Sequence, residues 1–112
     1  ARYAGACVGD PAAEAAPPAP GEEVGADTLA GAVAVIDVRE PVETALGVLP
    51  GARLVPLGQL VARAAAEVPR AGRVVIYCAR GARSLRAVRA LRARGWAEVV
   101  SLRGGYDGHV VG

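Results

Sequence analysis

Apolar and polar positions along the chain form two kinds of pattern, short apolar runs and segments with helical spacing. Residues 32–38 and Val74–Tyr77 are rich in β-branched side chains and almost wholly apolar, which predicts strands buried on both faces. Shorter strands are predicted at residues 53–55, before Pro56, and at residues 98–102. Because helical segments separate these strands, the pattern favours an α/β domain built on a parallel sheet.

Two longer helices are predicted between the strands. In residues 57–68 the apolar side chains recur three and four positions apart, and Pro69 ends the segment. The second helix begins near Ser84, whose hydroxyl is suited to cap a helix N-terminus, and Gly95 ends it. Both helices have one apolar face and therefore pack against the sheet.

Three shorter helical turns are also predicted. Asp27 is a candidate N-cap for a turn that runs to Ala30, and the next residue, a glycine, would end that turn. Further turns are expected at residues 43–46 and residues 106–111. These short segments connect the strands of a single compact unit.

Residues 1–21 differ from the rest of the chain in composition. They hold four prolines among alanines and glycines, which is typical of a linker or a disordered tail. Residues 22–112 then form one domain, since 112 residues are too few for two. The chain contains no methionine, so we interpret it as a processed product or a piece of a longer protein. It also lacks an apolar run long enough for a membrane span and a secretory signal pattern.

Charge is distributed unevenly along the chain. All 13 basic side chains are arginine, and nine of them fall in residues 70–103, where Glu98 is the one acid. A basic field of this kind would attract anions and favour a thiolate. The alternative is an arginine-rich helix face that is simply solvated. Nucleic-acid binding is not favoured, because no aromatic side chains alternate with the arginines.

The chain has two cysteines, Cys7 and Cys78, and one histidine, His109. These residues lie too far apart in sequence to indicate a disulfide framework or a metal site, and we predict neither a metal nor a cofactor. Cys7 lies in the proline-rich tail and is interpreted as an incidental thiol. A reducing, cytoplasmic setting is expected for such a chain.

Cys78 stands between the strand Val74–Tyr77 and the helix that follows. Unpaired amides at the helix start, the helix dipole and a nest of amides around Gly81 would lower the pKa of its thiol. Arg80 and Arg83 would add positive charge suited to an anionic substrate. We therefore predict that Cys78 is a nucleophile and that its loop binds an anion. The alternative is a buried structural cysteine.

Asp37 and Arg39 lie where the strand of residues 32–38 ends, and Pro41 prevents that strand from continuing. Open α/β sheets bind ligands in a crevice at the carboxyl ends of their strands, so these charges would face such a crevice. The alternative, an ion pair that pins the loop, is equally consistent with the sequence.

Four segments together resemble the rhodanese, or thiosulfate sulfurtransferase-like, domain family. They are IDVREP at residues 36–41, GVLPGA at 47–52, CARGARS at 78–84 and LRGG at 102–105, in the family's order. The resemblance covers residues 22–111. It implies an α/β rhodanese-like fold, with a central parallel sheet of about five strands and helices on both faces.

The resemblance also implies a reaction. Cys78 would attack a small anionic donor such as thiosulfate and become a persulfide, and a thiol, cyanide or a carrier protein would then accept the sulfur. Asp37 and Arg39 would give structural support near the site. The substrate-binding residues would be the rest of the loop, namely Ala79, Arg80, Gly81, Ala82, Arg83 and Ser84.

Three other functions remain open at this point. The chain could be the C-terminal domain of a larger adenylyltransferase that passes sulfur to a ubiquitin-like carrier protein. It could also be a non-catalytic binding module with the same fold. Related phosphatases are the third possibility, but their loop between Cys and Arg is one residue longer than the loop from Cys78 to Arg83. The shorter loop favours sulfur over phosphate.

Overall fold

Residues 17–111 are described by the computed structural model of the chain, and they are organised around one five-stranded sheet. All strand pairs are parallel, and the strands lie side by side in the order β1-β5-β4-β2-β3. The strands are β1 Glu23–Val24, β2 Ala34–Asp37, β3 Arg53–Leu54, β4 Val74–Tyr77 and β5 Val99–Leu102. The helices of this part of the chain are a 3-10 helix Ala26–Gly31, α1 Pro41–Thr44, α2 Leu57–Glu67, α3 Ala82–Arg92 and α4 Gly105–Val111.

Helices cover both faces of the sheet. On one face, Leu60 of α2 and Val88 of α3 pack against Ile76 of the central strand β4. On the other face, Leu29 of the 3-10 helix and Tyr106 of α4 pack against buried side chains of β4 and β5. Side chains of a strand alternate between the two faces, so β4 must be apolar throughout, and all four of its residues are buried. The predicted α/β fold with helices on both faces is confirmed.

The four strands that the apolar pattern predicts are confirmed: β4 has the predicted bounds, and the other three are shorter by one or two residues at an end. The fifth, β1, was not identified from the pattern. Its two residues pair with Ser101 and Leu102 of β5. Two residues are too few to show any periodicity, so this strand is defined by its partner across the sheet.

Both predicted N-caps are wrong. The 3-10 helix has Gly25 as its N-cap, and Asp27 lies inside the helix without a capping hydrogen bond. Helix α3 has Gly81 as its N-cap, and Ser84 is its third residue. The amide that a capping side chain would satisfy, the N–H of Ser84, donates instead to the Cys78 sulfur at 3.3 Å. The Cys78 sulfur therefore takes the place of a capping side chain.

Arginines of α3 hold the segment that precedes β1. Arg89 forms an ion pair with Glu22 at 2.9 Å and also donates to the carbonyl of Pro17. Arg92 donates to the carbonyl of Gly21 at 2.8 Å. These two side chains therefore bind the protein's own backbone and do not form a solvated basic face. Residues 1–16 of the predicted tail, including its cysteine, lie outside the described residues.

None of the helices within residues 17–111 is both long enough and apolar enough to cross a lipid bilayer.

Candidate active site

Cys78 directly follows the central strand β4, at the carboxyl edge of the sheet. The strand pairs with β2 on one side and β5 on the other, so the cysteine lies in the middle of that edge. Its side chain is only 1% exposed. A parallel sheet brings the carboxyl ends of adjacent strands together, which places Asp37, the last residue of β2, beside Tyr77, the last residue of β4.

The loop after Cys78 curls around its sulfur. The amide N–H of Gly81 donates to Sγ at 3.0 Å, and the amide of Ser84 donates to it at 3.3 Å. Gly81 has a φ of +119°, a conformation that side chains with a Cβ rarely adopt. A glycine is therefore needed at this position to direct the loop amides toward the sulfur.

These hydrogen bonds favour the thiolate form of Cys78. Burial raises the pKa of Cys78, but hydrogen bonds from the Ser84 hydroxyl and from the amides of Ser84, Gly81 and Arg80 outweigh it. The pKa of Cys78 therefore lies below the ordinary value for a cysteine. A lower pKa places more of the sulfur in the thiolate form, which is the nucleophilic form.

A pocket of about 300 Å³ opens above the sulfur. Its lining consists of Cys78, Ala79, Arg80, Ala82 and Arg83. The remaining two predicted loop residues, Gly81 and Ser84, contact the sulfur instead. The loop therefore has one set of residues that faces the pocket and one that contacts the Cys78 sulfur.

Arg83 is paired with an acid that the sequence did not indicate. Its two terminal nitrogens donate to the carboxylate oxygens of Glu43 in α1 at 2.7 and 2.8 Å. The hydrogen bonds from Arg83, together with one from the amide of Glu40, lower the pKa of Glu43 to about 2. Glu43 also forms a capping box with Glu40 at the start of α1, and this pairing has no sequence signature because a glutamate stands where the motif has serine or threonine. Helix α1 is thus joined to the Cys78 loop by a charged pair.

Arg80 lies at the rim of the pocket and is largely exposed to solvent. Its Nε is 3.7 Å from a carboxylate oxygen of Asp107 in α4, a long contact between exposed groups. With Arg83 paired to Glu43, Arg80 is the more weakly neutralised of the two pocket arginines.

Helix α4 holds the Cys78 loop from the opposite side. The amide of Tyr106 donates to the carbonyl of Cys78 at 2.8 Å, and the amide of Asp107 donates to the carbonyl of Ala79 at 2.9 Å. Gly105 makes this approach possible, because a Cβ at this position would lie 2.5 Å from the Cys78 carbonyl oxygen. The LRGG segment therefore places a helix N-terminus directly against the Cys78 loop.

Replacing Gly105 with alanine is expected to displace this loop. The added Cβ would overlap the carbonyls of Cys78 and Ala79, and the alanine would have to adopt the φ of +60° that Gly105 has. We therefore expect the free energy of unfolding to fall by roughly 1–3 kcal/mol. Alkylation of Cys78 by iodoacetamide should slow as well. Gly108→Ala in the same helix is the matched control, since a Cβ there would meet no atom within 4 Å. Equal urea midpoints for the two variants would contradict the expectation.

Asp37 and Arg39 form a buried ion pair away from the pocket. The guanidinium of Arg39 donates to Asp37 at 2.8 Å and to the carbonyl of Gly47 at 2.7 Å. It also lies 4.1 Å from the centre of the Tyr106 ring. The pair thus links the end of β2 to the loop after α1 and to α4, and neither residue lines the pocket.

Ser101 was not identified from the sequence either. It is a fully buried residue of β5, and its hydroxyl oxygen lies 2.7 Å from that of Ser84. The available signal was a single polar residue within the apolar strand VVSL. Such a residue is polar where the pattern requires burial, so it must have a partner.

Comparisons with known proteins agree with this geometry. A family profile described as a rhodanese-like domain matches residues 22–110. The chain is 41% identical over 73 residues to a sulfurtransferase of Allochromatium vinosum, a match that covers 65% of this chain and 67% of that protein. It is 36% identical over 74 residues to the probable adenylyltransferase/sulfurtransferase MoeZ of Mycobacterium tuberculosis, covering 65% of this chain but only 19% of MoeZ. The chain therefore corresponds to only part of these relatives.

A solved structure shows the same architecture. The human single-domain sulfurtransferase TSTD1 superposes with a TM-score of 0.69 at 25% identity, covering 81% of this chain and 97% of that one. The parallel sheet, the cysteine loop at its carboxyl edge and the profile match over residues 22–110 lead to one assignment. The chain belongs to the rhodanese-like domain family.

Proposed function

We propose that this protein is a sulfurtransferase that carries a sulfane sulfur on Cys78 as a persulfide. The observation that carries the proposal is the environment of Sγ, which accepts two loop amides at 3.0 and 3.3 Å below an open pocket. Such an environment stabilises a sulfur anion, and both halves of a sulfur transfer pass through one. Membership of a family that contains sulfurtransferases supports the same reaction.

The reaction has two displacements at sulfur. The Cys78 thiolate attacks the outer sulfur of a donor such as thiosulfate, and the bond inside the donor breaks, so that sulfite leaves with the electron pair. The product is the Cys78 persulfide anion. A thiol or cyanide then attacks the outer sulfur, and the electron pair of the broken bond returns to Cys78 as a thiolate. Electrons balance within each step.

The Cys78 loop supplies the groups that would bind the substrates of this reaction. The outer sulfur of the persulfide would lie in the pocket lined by Ala79 and Ala82, close to the loop amides. Arg80 at the rim would attract an anionic donor, and Arg83 would retain free N–H groups despite its pair with Glu43. A free thiol of lowered pKa fits a reducing compartment, and we propose the cytoplasm.

The charge of Glu43 should affect which donors are preferred. Glu43→Gln keeps an oxygen for the Glu40 amide but removes the negative charge opposite Arg83, so the pocket becomes more positive. With the dianion thiosulfate we expect kcat/KM to rise roughly three- to tenfold at low ionic strength. With an uncharged donor such as a dialkyl trisulfide it should change less than about twofold.

Glu67→Gln is the matched control for that experiment. Glu67 pairs with Arg63 at 2.9 Å and has similar exposure, but it lies at the end of α2 that approaches the opposite edge of the sheet. Replacing Glu67 should leave kcat/KM unchanged for both donors. If Glu43→Gln changes kcat/KM by the same factor for thiosulfate and for the trisulfide, an effect of pocket charge is excluded.

A second candidate function follows from the match to MoeZ. That protein is a probable adenylyltransferase/sulfurtransferase, and this chain corresponds to 19% of it. We therefore propose as an alternative that the domain acts at the C-terminus of a larger enzyme and donates sulfur to a ubiquitin-like carrier protein. The complete reading frame would decide between the two, because the alternative requires an adenylyltransferase domain upstream.

The intact mass of the protein after treatment with thiosulfate tests the proposed function. The mass should increase by one sulfur atom and return to its original value when cyanide or a thiol is added. A protein that gains no mass with thiosulfate, an organic trisulfide or a small-molecule persulfide would refute the proposal.

A further inference from the structure

Ser84 and Ser101 are the only serines among the 112 residues of the chain, and they form a hydrogen bond with each other. One lies in the first turn of α3 and the other in the middle of β5, and both are fully buried. Ser84 is also the residue whose hydroxyl reaches the Cys78 sulfur, at 3.5 Å. Buried hydroxyls are unfavourable unless each of them is hydrogen-bonded, so Ser101 depends on Ser84 as its partner.

The surroundings assign the protons of the two hydroxyls. Within the described part of the chain, Ser84 is the one hydrogen-bonding partner of the Ser101 hydroxyl. If Ser101 did not donate to Ser84, its proton would be buried without an acceptor, at a cost of roughly 1–3 kcal/mol. Ser101 is therefore the donor. The Ser84 hydroxyl keeps its own proton for either the Gly81 carbonyl, 3.1 Å away, or the sulfur of Cys78.

This assignment gives Ser84 two arrangements. When Cys78 is a thiol, its S–H donates to the Ser84 oxygen, and the Ser84 proton lies on the Gly81 carbonyl. When Cys78 is an anion, the Ser84 proton can rotate to the sulfur. Ser101 donates to Ser84 in both arrangements, and a hydroxyl that accepts a hydrogen bond becomes a stronger donor itself.

We propose that Ser101 is a positioning residue, which orients the Ser84 hydroxyl toward the Cys78 sulfur and strengthens it as a donor. Ser101 does not contact the pocket and acts only through Ser84. Through Ser84, Ser101 stabilises the thiolate of Cys78. This thiolate starts the proposed reaction and forms again when the acceptor removes the outer sulfur. The consequence for turnover rests on the proposed sulfur transfer, whereas the effect on the thiol does not.

The charged groups around the sulfur are separate from this hydroxyl pair. Arg80 and Arg83 line the pocket, Glu43 of α1 pairs with Arg83, and Asp107 of α4 lies near Arg80. Replacing Ser101 with alanine removes one hydroxyl from β5 and leaves all of these charges in place. A change in the titration of Cys78 in that variant would therefore report on the hydroxyls.

The test is the rate of iodoacetamide alkylation of Cys78 as a function of pH, in a background where Cys7 is replaced with serine. Ser101→Ala should move the midpoint of the profile upward by roughly half a pH unit, and Ser84→Ala should move it further. In the Ser84→Ala background, adding Ser101→Ala should cause no additional shift, because the effect passes through Ser84. Ser101→Thr keeps the hydroxyl and suits a strand, so it should restore the original midpoint.

Val100→Ala controls for loosening of β5. This neighbouring side chain is buried on the other face of the sheet, so its truncation should lower stability without moving the alkylation midpoint. The proposal is wrong if Ser101→Ala matches the original profile, or if its shift is undiminished in the Ser84→Ala background. Alkylation needs no sulfur donor or acceptor, so these results do not depend on whether the protein transfers sulfur.

Discussion

Replacing Cys78 with serine is expected to abolish sulfur transfer, with a loss on the order of a thousandfold or more. Two properties of sulfur are lost together. A serine hydroxyl is protonated at neutral pH, whereas the loop amides and the Ser84 hydroxyl lower the pKa of the Cys78 thiol. An alcohol also cannot hold a sulfane sulfur as a persulfide. The fold should tolerate the change, since serine is a close match in shape.

Two measurements check this prediction. The thiosulfate:cyanide assay should give no activity above background for Cys78→Ser, and its intact mass should not increase after thiosulfate treatment. Cys7→Ser is the matched control, because it removes the second cysteine of the chain and should leave both measurements unchanged. A stable sulfur adduct on Cys78→Ser would instead assign the carrier role to Cys7.

The second large effect concerns stability. Arg39→Met should lower the free energy of unfolding by about 3–5 kcal/mol, because it leaves the carboxylate of Asp37 buried without its cation. The carboxylate is 0% exposed and Arg39 is 4% exposed, so water cannot replace the lost partner. Methionine retains much of the apolar length of arginine, which limits the contribution from lost packing. Urea unfolding followed by circular dichroism measures the change.

Two further variants isolate the charge. Combining Arg39→Met with Asp37→Asn removes both charges and should recover part of the lost stability. Arg63→Met breaks an ion pair of similar length, 2.9 Å, but on the exposed surface of α2, and should cost less than about 1 kcal/mol. If Arg39→Met costs no more than Arg63→Met, the buried pair does not hold the carboxyl edge of the sheet together.

The pattern of apolar residues was sufficient for the parts of the fold that are buried on both faces. Strands β2 and β4 lie inside the sheet, and burial of a strand on both faces requires a continuous apolar run. Helices α2 and α3 were predicted because only one of their faces is buried. Strand β1 was missed, since its two residues form a strand only through their pairing with β5.

The candidate site divides in the same way. Cys78, Gly81 and the two pocket arginines fall within six consecutive residues, so the sequence alone could place them in one candidate site. The acid that pairs with Arg83 lies 40 residues earlier in the chain, and the hydroxyl that contacts Ser84 lies 17 residues later. No local spacing indicates such partners, and the predicted capping role of Ser84 was wrong because the sulfur of Cys78 satisfies its amide.

The sequence by itself determined the fold class and singled out Cys78 and the loop that follows it, because these depend on short-range pattern and on the chemistry of neighbouring residues. The tertiary structure alone decided how the charges and hydroxyls of that loop are paired. Glu43 neutralises one arginine of the pocket, Ser101 donates to the hydroxyl beside the sulfur, and Gly105 admits a helix N-terminus against the loop. These contacts form only when distant elements meet at the carboxyl edge of the sheet, where burial makes each unpaired polar group costly.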